Sequence, residues 1–386
     1  MRKIPYAAQD INQADVDAVV EALRSDWLTQ GPTIKRFEKA VSERCGVGYA
    51  TAVCNGTAAL HVACRALGLG KGDTLWTSPN TFAASSNSAL YCGASVDFVD
   101  IDPRTYNMCV NTLGDKLAAA AKTGTLPKIV IPVHFSGQPC EMAPIHELAK
   151  RYGFAVIEDA SHAVGATYRG KPVGTCEYSD ATVFSFHPVK IITTAEGGML
   201  LCRRADLDSS FKLLCSHGIT RDPGRMEGPV HGPWYYEQVD LGYNYRITDI
   251  QAALGVSQLA RIDAFLERRR ALAARYDRKL AGLPITLPYQ HPDGVSSWHL
   301  YVIRVGKAAG KSRKEVFAEL QQAGINPNVH YIPVHLHPYS RKLGFKIGDF
   351  PAAESYYSEA ISLPMFVGLS DAEQDHVADT LHAILS

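Results

Sequence analysis

Several features are missing from this sequence, and each absence excludes a class of protein. No apolar run approaches the roughly 18 to 20 residues of a membrane-spanning helix, and the opening residues turn polar at Gln9 without the apolar core of a secretory signal. The 39 basic residues only balance the 39 acidic ones, so the charge excess that binding to a phosphate backbone needs is absent. The nine cysteines include no C-x-x-C pair, which argues against a disulfide framework or a zinc ribbon. The sequence therefore predicts a cytoplasmic protein with reduced thiols and no nucleic-acid or membrane partner.

Length and composition predict a globular protein of two domains. The chain has 386 residues, of which 46% are hydrophobic and 20% charged, and at roughly 150 residues per domain it has room for two. We expect a large α/β/α domain over residues 1–245, a connecting helix over residues 246–275 and a smaller C-terminal α/β domain over residues 276–386. The charged run Glu267–Arg270 is expected on the solvated face of the connecting helix.

Strand-like and helix-like segments alternate in the first half of the chain, which is typical of a mostly parallel sheet covered by helices. The predicted strands are 49–54, 74–78, 95–99, 129–133, 154–157, 181–186 and 199–202, and the predicted helices between them include 57–67, 81–91, 141–152 and 206–216. In an open α/β sheet the ligand binds beyond the carboxyl ends of the strands. The residues that follow each strand are therefore the first candidates for a site.

The first predicted strand leads into Asn55-Gly56-Thr57-Ala58, where a glycine turn opens a helix that carries a hydroxyl in its first turn. The exposed N–H groups and the dipole of such a helix start favour a phosphate. The alternative is that Gly56 only makes a tight turn and Thr57 only caps the helix.

Two further strands end in a carboxylate and an amine. Asp159 follows strand 154–157 and is suited to hold a protonated ring nitrogen, although an aspartate at such a step is also a common turn former. Lys190 follows strand 181–186 and lies between two apolar segments. Desolvation lowers the pKa of such a lysine and makes its amine able to form a Schiff base, whereas the alternative is a lysine that snorkels to the surface.

Phe82, after the second strand, is suited to stack on a flat ring, but taken alone it is better explained as a core residue. A phosphate cradle, an aromatic face, a carboxylate and an amine at one sheet edge together describe a site for pyridoxal 5'-phosphate (PLP). A nicotinamide dehydrogenase is disfavoured because no G-x-G-x-x-G follows a predicted strand, and the glycines of Gly68–Gly72 end a helix instead. No metal site is predicted, since the histidines of the stretch 330–337 lack a matching set of carboxylates or cysteines.

The order of these motifs resembles the DegT/DnrJ/StrS family of PLP-dependent nucleotide-sugar aminotransferases. The resemblance covers essentially the whole chain and is carried by residues 56–58, 81–82, 158–162, 184–190, 196–198 and 242–246. It implies a fold-type I PLP-dependent transferase with the aspartate-aminotransferase fold, and a homodimer whose active sites are shared between the subunits.

The resemblance also implies roles for single residues. Lys190 is the amine that carries PLP, Asp159 pairs with the ring nitrogen, Phe82 stacks on the ring, and His162 lies near the ring hydroxyl. The phosphate and its surroundings are assigned to Gly56, Thr57, Ala58, Ser185 and Asn244, the last reaching the site from the partner subunit. Contacts to the substrate are expected at Thr29, His187, Arg246, His330 and Tyr331.

The presence of Lys190 favours transamination, because relatives that act as dehydratases carry histidine there. Within the family, residues 187–190, 193–198 and 329–331 are most similar to transaminases of pseudaminic acid synthesis, which implies L-glutamate as amino donor and the 4-keto carbon of a UDP-linked N-acetylated 4-keto-6-deoxy sugar as acceptor. His162, often glutamine in the family, and the long 219–238 loop depart from the common pattern. Two alternatives therefore stay open, an acceptor that is a GDP- or dTDP-linked 4-keto (or 3-keto) deoxysugar, and a non-catalytic PLP-binding scaffold or regulator.

Overall fold

Short strands alternate with helices along residues 3–385, the part of the chain that this computed structural model describes. The strands are β1 (Ile4–Pro5), β2 (Tyr49–Val53), β3 (Thr74–Thr77), β4 (Ser95–Phe98), β5 (Ile129–Ile131), β6 (Ala155–Asp159), β7 (Thr167–Tyr168), β8 (Lys171–Pro172), β9 (Ala181–Ser185), β10 (Gly198–Cys202), β11 (Ile219–Thr220), β12 (Glu237–Gln238), β13 (Gly294–Val295), β14 (Tyr301–Arg304), β15 (Ile325–Asn326) and β16 (Ala360–Leu363). The α-helices are α1 (Gln13–Arg24), α2 (Pro32–Cys45), α3 (Gly56–Ala66), α4 (Ala83–Tyr91), α5 (Val110–Thr123), α6 (Met142–Tyr152), α7 (Ala205–Leu214), α8 (Asp249–Ala260), α9 (Ile262–Lys279), α10 (Arg313–Gln322), α11 (Pro338–Lys342), α12 (Pro351–Glu359) and α13 (Asp371–Leu385).

Seven strands form one sheet in the order β2-β10-β9-β6-β5-β3-β4. Strand β10 runs antiparallel to both of its neighbours, and the other neighbouring pairs are parallel. Successive side chains of a strand point to opposite faces of the sheet. Val183 and Phe184 of β9 belong to different hydrophobic clusters, so both faces of the sheet are covered. The predicted α/β class with a mostly parallel sheet is confirmed.

A second, smaller hydrophobic core lies in the C-terminal part of the chain. It packs α9, α10 and α13 against the antiparallel pair β14–β16. Ile4 joins this core because β1 pairs in parallel with β15, so the N-terminal strand packs with the C-terminal unit. The domain boundaries that we drew from the sequence stay a prediction.

The connecting helix expected over residues 246–275 is two helices, α8 and α9, which meet at Arg261. Arg261 leaves the helical conformation at φ −104° and ψ 1°, and its guanidinium donates hydrogen bonds to the carboxylates of Asp10 and Asp15. Neither glycine nor proline marks this break. The apolar periodicity continues across it, so the sequence pattern gave no sign of the break.

The expectation that the run Glu267–Arg270 is solvated is wrong for Arg269, which is 1% exposed. Arg269 lies four residues after Phe265 and three before Leu272, two buried residues of α9. At helical spacing it therefore faces the core, whereas Glu267 and Arg270 are exposed.

No helix among the described residues is both long enough and apolar enough to cross a membrane. The nine cysteines are free thiols, and most of them are buried. The cytoplasmic location stays a prediction.

Candidate active site

The carboxyl ends of β2, β6 and β9 open into a cavity of about 590 Å³ between the sheet and the C-terminal unit. The sequence-predicted residues that line it are Gly56, Thr57, Phe82, Asp159, His162, Ser185, His187, Lys190, His330 and Tyr331. The sheet brings the residues from Gly56 to Lys190 to one edge, as their positions after the strands predicted. His330 and Tyr331 come from the C-terminal part of the chain, after β15.

The segment after β2 forms a cradle of N–H and hydroxyl groups. Asn55 caps α3 by accepting a hydrogen bond from the Ala58 N–H at 2.8 Å, so Thr57 is not the cap. A Cβ at Gly56 would lie 3.0 Å from the Cβ of Ser185, and glycine therefore lets Ser185 approach the helix start. Ala58 does not line the cavity in the described part of the chain. Thr57, Ser185 and the N-terminus of α3 together suit an anion.

Asp159 ends β6 and is held from two sides. The Ser161 N–H donates to its Oδ1 at 3.2 Å, which is the local turn expected of an aspartate at this position. In addition, the hydroxyl of Ser85 in α4 donates to its Oδ2 at 2.6 Å, and the hydroxyl of Thr81 lies 2.7 Å from that of Ser85. These bonds fix a carboxylate that is only 5% exposed at the cavity wall.

Lys190 follows β9 in a turn that the hydrogen bond from its N–H to the His187 carbonyl closes at 2.9 Å. Burial lowers the pKa of its amine to about 8, and the nearby Asp159 carboxylate acts in the opposite direction. The side chain therefore does not behave as a solvated lysine. Its amine becomes a neutral nucleophile closer to physiological pH than an exposed lysine does.

We expect the amine of Lys190 in the cofactor-free protein to react with an amine-selective reagent with a midpoint near pH 8, because burial disfavours its ammonium form. Mass spectrometry of the Lys190 peptide across a pH series measures this. Exposed lysines in the same digest are the reference, because an unperturbed amine titrates at about pH 10.4. A Lys190 profile that coincides with theirs would contradict the assignment.

Phe82 is 63% exposed, so its interpretation as a core residue is wrong. It precedes the first residue of α4 and lies at the cavity, with its ring centre 6.3 Å from that of Tyr331. An aromatic ring that is left uncovered beside a cavity offers a face on which a flat ligand can stack.

Of the four histidines that line the cavity, three are buried: His162, His299 and His330. Burial lowers the pKa of all three, to about 3 for His330 and well below the usual value for the other two, and the positive charge of Lys190 adds to the effect. They are therefore neutral at physiological pH and serve as hydrogen-bonding groups. Nε2 of His162 lies 3.1 Å from the Tyr331 hydroxyl, and Nδ1 of His330 lies 2.8 Å from the Ser362 hydroxyl.

Sequence reasoning missed several lining residues, among them Tyr6, Glu196, His299 and Asn328. Tyr6 directly follows β1, which pairs with β15, and no local pattern predicts a pairing between segments so far apart in the sequence. His299 was detectable in principle, since it stands in a polar run directly before β14.

Besides Ala58, three predicted residues lie outside the cavity of the described chain: Thr29, Asn244 and Arg246. Their backbones form bridges with Thr248, Ser216 and Val53, respectively. Asn244 is exposed, so its side chain is open to a second molecule.

The residues of the cavity fit PLP. Thr57, Ser185 and the start of α3 match its phosphate, Phe82 its ring face, Asp159 its ring nitrogen and Lys190 its aldehyde. The buried Nδ1 of His162 has no protein partner in the described structure, which leaves it free for a polar group of the ligand.

Residues 9–382 match the DegT/DnrJ/EryC1/StrS aminotransferase family. The chain belongs to this family. It is accordingly a PLP-dependent transaminase of the sugar aminotransferase type.

Curated relatives match along nearly their whole length. The spore coat polysaccharide biosynthesis protein SpsC of Bacillus subtilis is 39% identical over 99% of this chain and 97% of its own. GDP-perosamine synthase of Caulobacter vibrioides is 38% identical over 99% of this chain and 98% of its own. UDP-4-amino-4,6-dideoxy-N-acetyl-β-L-altrosamine transaminase of Campylobacter jejuni is 38% identical over 99% of this chain and 97% of its own.

Solved structures show the same fold. Helicobacter pylori PseC, an aminotransferase involved in the biosynthesis of pseudoaminic acid, superimposes with a TM-score of 0.90 at 30% identity, covering 100% of this chain and 99% of PseC. The PLP form of Spr1654 from Streptococcus pneumoniae gives a TM-score of 0.88 at 32% identity, over 99% of this chain and 98% of that one.

Proposed function

We propose that this transaminase moves an amino group from L-glutamate to the 4-keto carbon of a UDP-linked N-acetylated 4-keto-6-deoxy sugar, as in pseudaminic acid synthesis. The observation that carries the reaction class is the low-pKa amine of Lys190 beside the buried carboxylate of Asp159 in one cavity. The sugar is supported by the Campylobacter relative, which is named for a UDP-linked N-acetylated 4-amino sugar of the kind that this transfer would form, and by the match to PseC.

We assign different cavity residues to different parts of PLP. We assign the covalent attachment to Lys190, the ring nitrogen to Asp159, the ring face to Phe82 and the ring hydroxyl to His162. The phosphate is assigned to the start of α3, from Gly56 to Ala58, together with Ser185. His187, His330 and Tyr331 line the same cavity and are assigned to the substrates.

When bound, PLP supplies an electron sink for the carbanion that forms at the carbon carrying the amine. With PLP held in the cavity, the Nζ of Lys190 would serve as the base for the α-proton of the amino donor, a role that its burial-lowered pKa of about 8 suits. The Asp159 carboxylate would favour the protonated form of the ring nitrogen. The neutral histidines accept and donate hydrogen bonds without adding charge.

The acceptor sugar is tested with the pyridoxamine form of the enzyme and a panel of UDP-, GDP- and dTDP-linked 4-keto-6-deoxysugars. We expect the UDP-linked N-acetylated L-sugar to restore the visible absorbance of bound PLP fastest. The absorbance returns when the sugar takes the amino group from the pyridoxamine form. Faster conversion of a GDP- or dTDP-linked sugar would refute the UDP assignment and leave the reaction class intact.

A GDP-linked acceptor is the second candidate, and one observation favours it. GDP-perosamine synthase is as similar to this chain as the UDP-sugar transaminase is, at 38% identity over 99% of the chain in both cases. The same panel decides between the two, because it presents both nucleotides to one preparation.

We further propose that the enzyme is a homodimer with composite sites. In this arrangement Asn244 contacts the phosphate in the other subunit, and Thr29 and Arg246 reach that subunit's substrate. The proposal is supported by the exposure of Asn244 and by the place of all three residues outside their own chain's cavity.

Mixed dimers of Lys190→Ala and Asn244→Ala chains test the shared site. If Asn244 acts on the other subunit, each heterodimer has one site with both defects and one with neither, so random mixing should restore about a quarter of wild-type activity. If Asn244 acts within its own chain, every site carries a defect and activity stays low. Parent homodimers, unfolded and refolded separately, are the control.

A further inference from the structure

Arg269 is a buried cation whose hydrogen bonds all go to backbone carbonyl groups in the described structure. Its Nη1 lies 3.0 Å from the Trp298 oxygen, 3.3 Å from the His299 oxygen and 3.1 Å from the Met365 oxygen. Burial lowers its pKa to about 10. Placing a guanidinium in a core without a carboxylate is costly, so a residue of this kind needs an explanation beyond the packing of α9.

Two of the three carbonyls that Arg269 binds, those of Trp298 and His299, belong to a strained segment. Trp298 has φ 53°, a left-handed conformation that a bulky residue rarely adopts. The preceding residue is anchored on the opposite side, because the Ser297 hydroxyl donates to the His162 carbonyl at 2.8 Å and the Ser297 N–H donates to the Gly137 carbonyl at 3.1 Å. Residues 297–299 are therefore held between the C-terminal core and the sheet.

The effect of this anchoring is seen at His299. Its ring centre lies 4.3 Å from that of His162, and both rings line the cavity that contains Lys190. Both histidines are buried, and the Nδ1 atoms of both lack a protein partner in the described structure. The position of the His162 imidazole thus depends on the ring of His299 packed against it as well as on its bond to Tyr331.

We propose that Arg269 is a positioning residue of the amino-transfer site, which fixes the Trp298–His299 peptide and so holds the His299 ring against His162. This inference rests on the proposed function, since it takes the cavity as the place of amino transfer. Of the three residues whose carbonyls Arg269 Nη1 approaches in the described structure, only His299 lines the cavity. Its influence on the reaction therefore passes through His299.

A double-mutant cycle on the full-length holoenzyme tests this dependence. Arg269→Lys keeps the positive charge, but its shorter side chain falls short of the three carbonyls. We expect Arg269→Lys and His299→Ala each to slow the single-turnover half-reaction with L-glutamate at least tenfold, and the double variant to be no slower than His299→Ala alone. Arg268→Lys is the matched control, because Arg268 also donates to a carbonyl, that of Leu369 at 2.6 Å, outside the cavity. It should leave the rate unchanged.

A second measurement does not depend on turnover. In protein labelled at histidine, NMR with and without bound cofactor should show the His162 ring resonances shifted by the neighbouring His299 ring, and Arg269→Lys should reduce that shift as His299→Ala does. A holoenzyme that transfers no amino group from any donor would defeat the proposed function, while these resonances would still report whether Arg269 sets the His299 position.

Two results would overturn the inference. If the losses in rate multiply in the double variant, Arg269 does not act through His299. If Arg269→Lys lowers the melting temperature but changes neither the half-reaction nor the His162 resonances, Arg269 only stabilises the fold. Should Arg269→Lys fail to fold, Ser297→Ala removes the opposite anchor of the same segment and should give the same non-additive loss with His299→Ala; an unchanged rate in Ser297→Ala would count against the proposal.

Discussion

Lys190→Ala should fold normally and lose turnover by several orders of magnitude, because the reaction then lacks both the amine that carries the cofactor and the base that moves the proton. Lys190 stands in a loop after β9 and belongs to neither of the hydrophobic clusters that cover the two faces of the sheet. Steady-state turnover measures the loss, and circular dichroism checks the fold. Reduction of the wild-type holoenzyme with borohydride should fix the cofactor to the peptide that contains Lys190.

Lys171→Ala is a suitable control, since Lys171 is an exposed lysine paired with Glu177 and lies outside the cavity. Surface pairs of this kind contribute about 0–1 kcal/mol, so both stability and turnover should stay near wild type. Borohydride labelling of a lysine other than Lys190, or substantial turnover in Lys190→Ala, would refute the assignment.

The cavity was largely predictable from the sequence because its chemistry stands at strand ends. Asp159 ends β6 and Lys190 follows β9, and these two strands are neighbours in the sheet. In a parallel sheet the residues after each strand meet at one edge, so a correct strand prediction already places these side chains together.

The missed features share a different physical origin. Tyr6 enters the cavity through the pairing of β1 with the distant strand β15, and the break between α8 and α9 involves carboxylates far from Arg261 in the sequence. Both depend on tertiary contacts that no local pattern encodes. Arg269 differs, because its helical spacing to Phe265 and Leu272 could have predicted its burial. It was assigned to the solvated face because its neighbours in the sequence are charged.

Phe82 shows that a helix can be predicted correctly while the burial of a residue at its start is predicted wrongly. The helix after β3 is present, yet Phe82 lies exposed at its start. Hydrophobicity alone predicts burial in the core, but a binding face must stay uncovered until the ligand arrives. The motif in which Phe82 stands was therefore a better guide to its position than its residue type.

Asp159→Asn should slow proton abstraction from the amino donor by roughly 10²-fold or more, because the amide keeps the shape of the side chain but removes the charge that holds a proton on the ring nitrogen. Cofactor binding should change less, since the phosphate cradle and Lys190 are untouched. The single-turnover half-reaction with L-glutamate measures the rate, and titration with PLP measures the affinity. Near wild-type turnover in this variant would show that Asp159 is structural.

Ser85→Ala separates the charge of Asp159 from its orientation. It keeps the carboxylate but removes the 2.6 Å hydrogen bond to Oδ2, and the loss of one such bond should slow the half-reaction by about tenfold, less than the loss of the charge. Ser86→Ala is the matched control, because Ser86 lies in the same helix and its hydroxyl donates to the Ala83 carbonyl at 2.9 Å rather than to Asp159. Equal losses of rate in Ser85→Ala and Ser86→Ala would mean that both substitutions act by destabilising α4 and not through Asp159. A loss confined to Ser85→Ala would mean that the bond from α4 orients the carboxylate toward the ring.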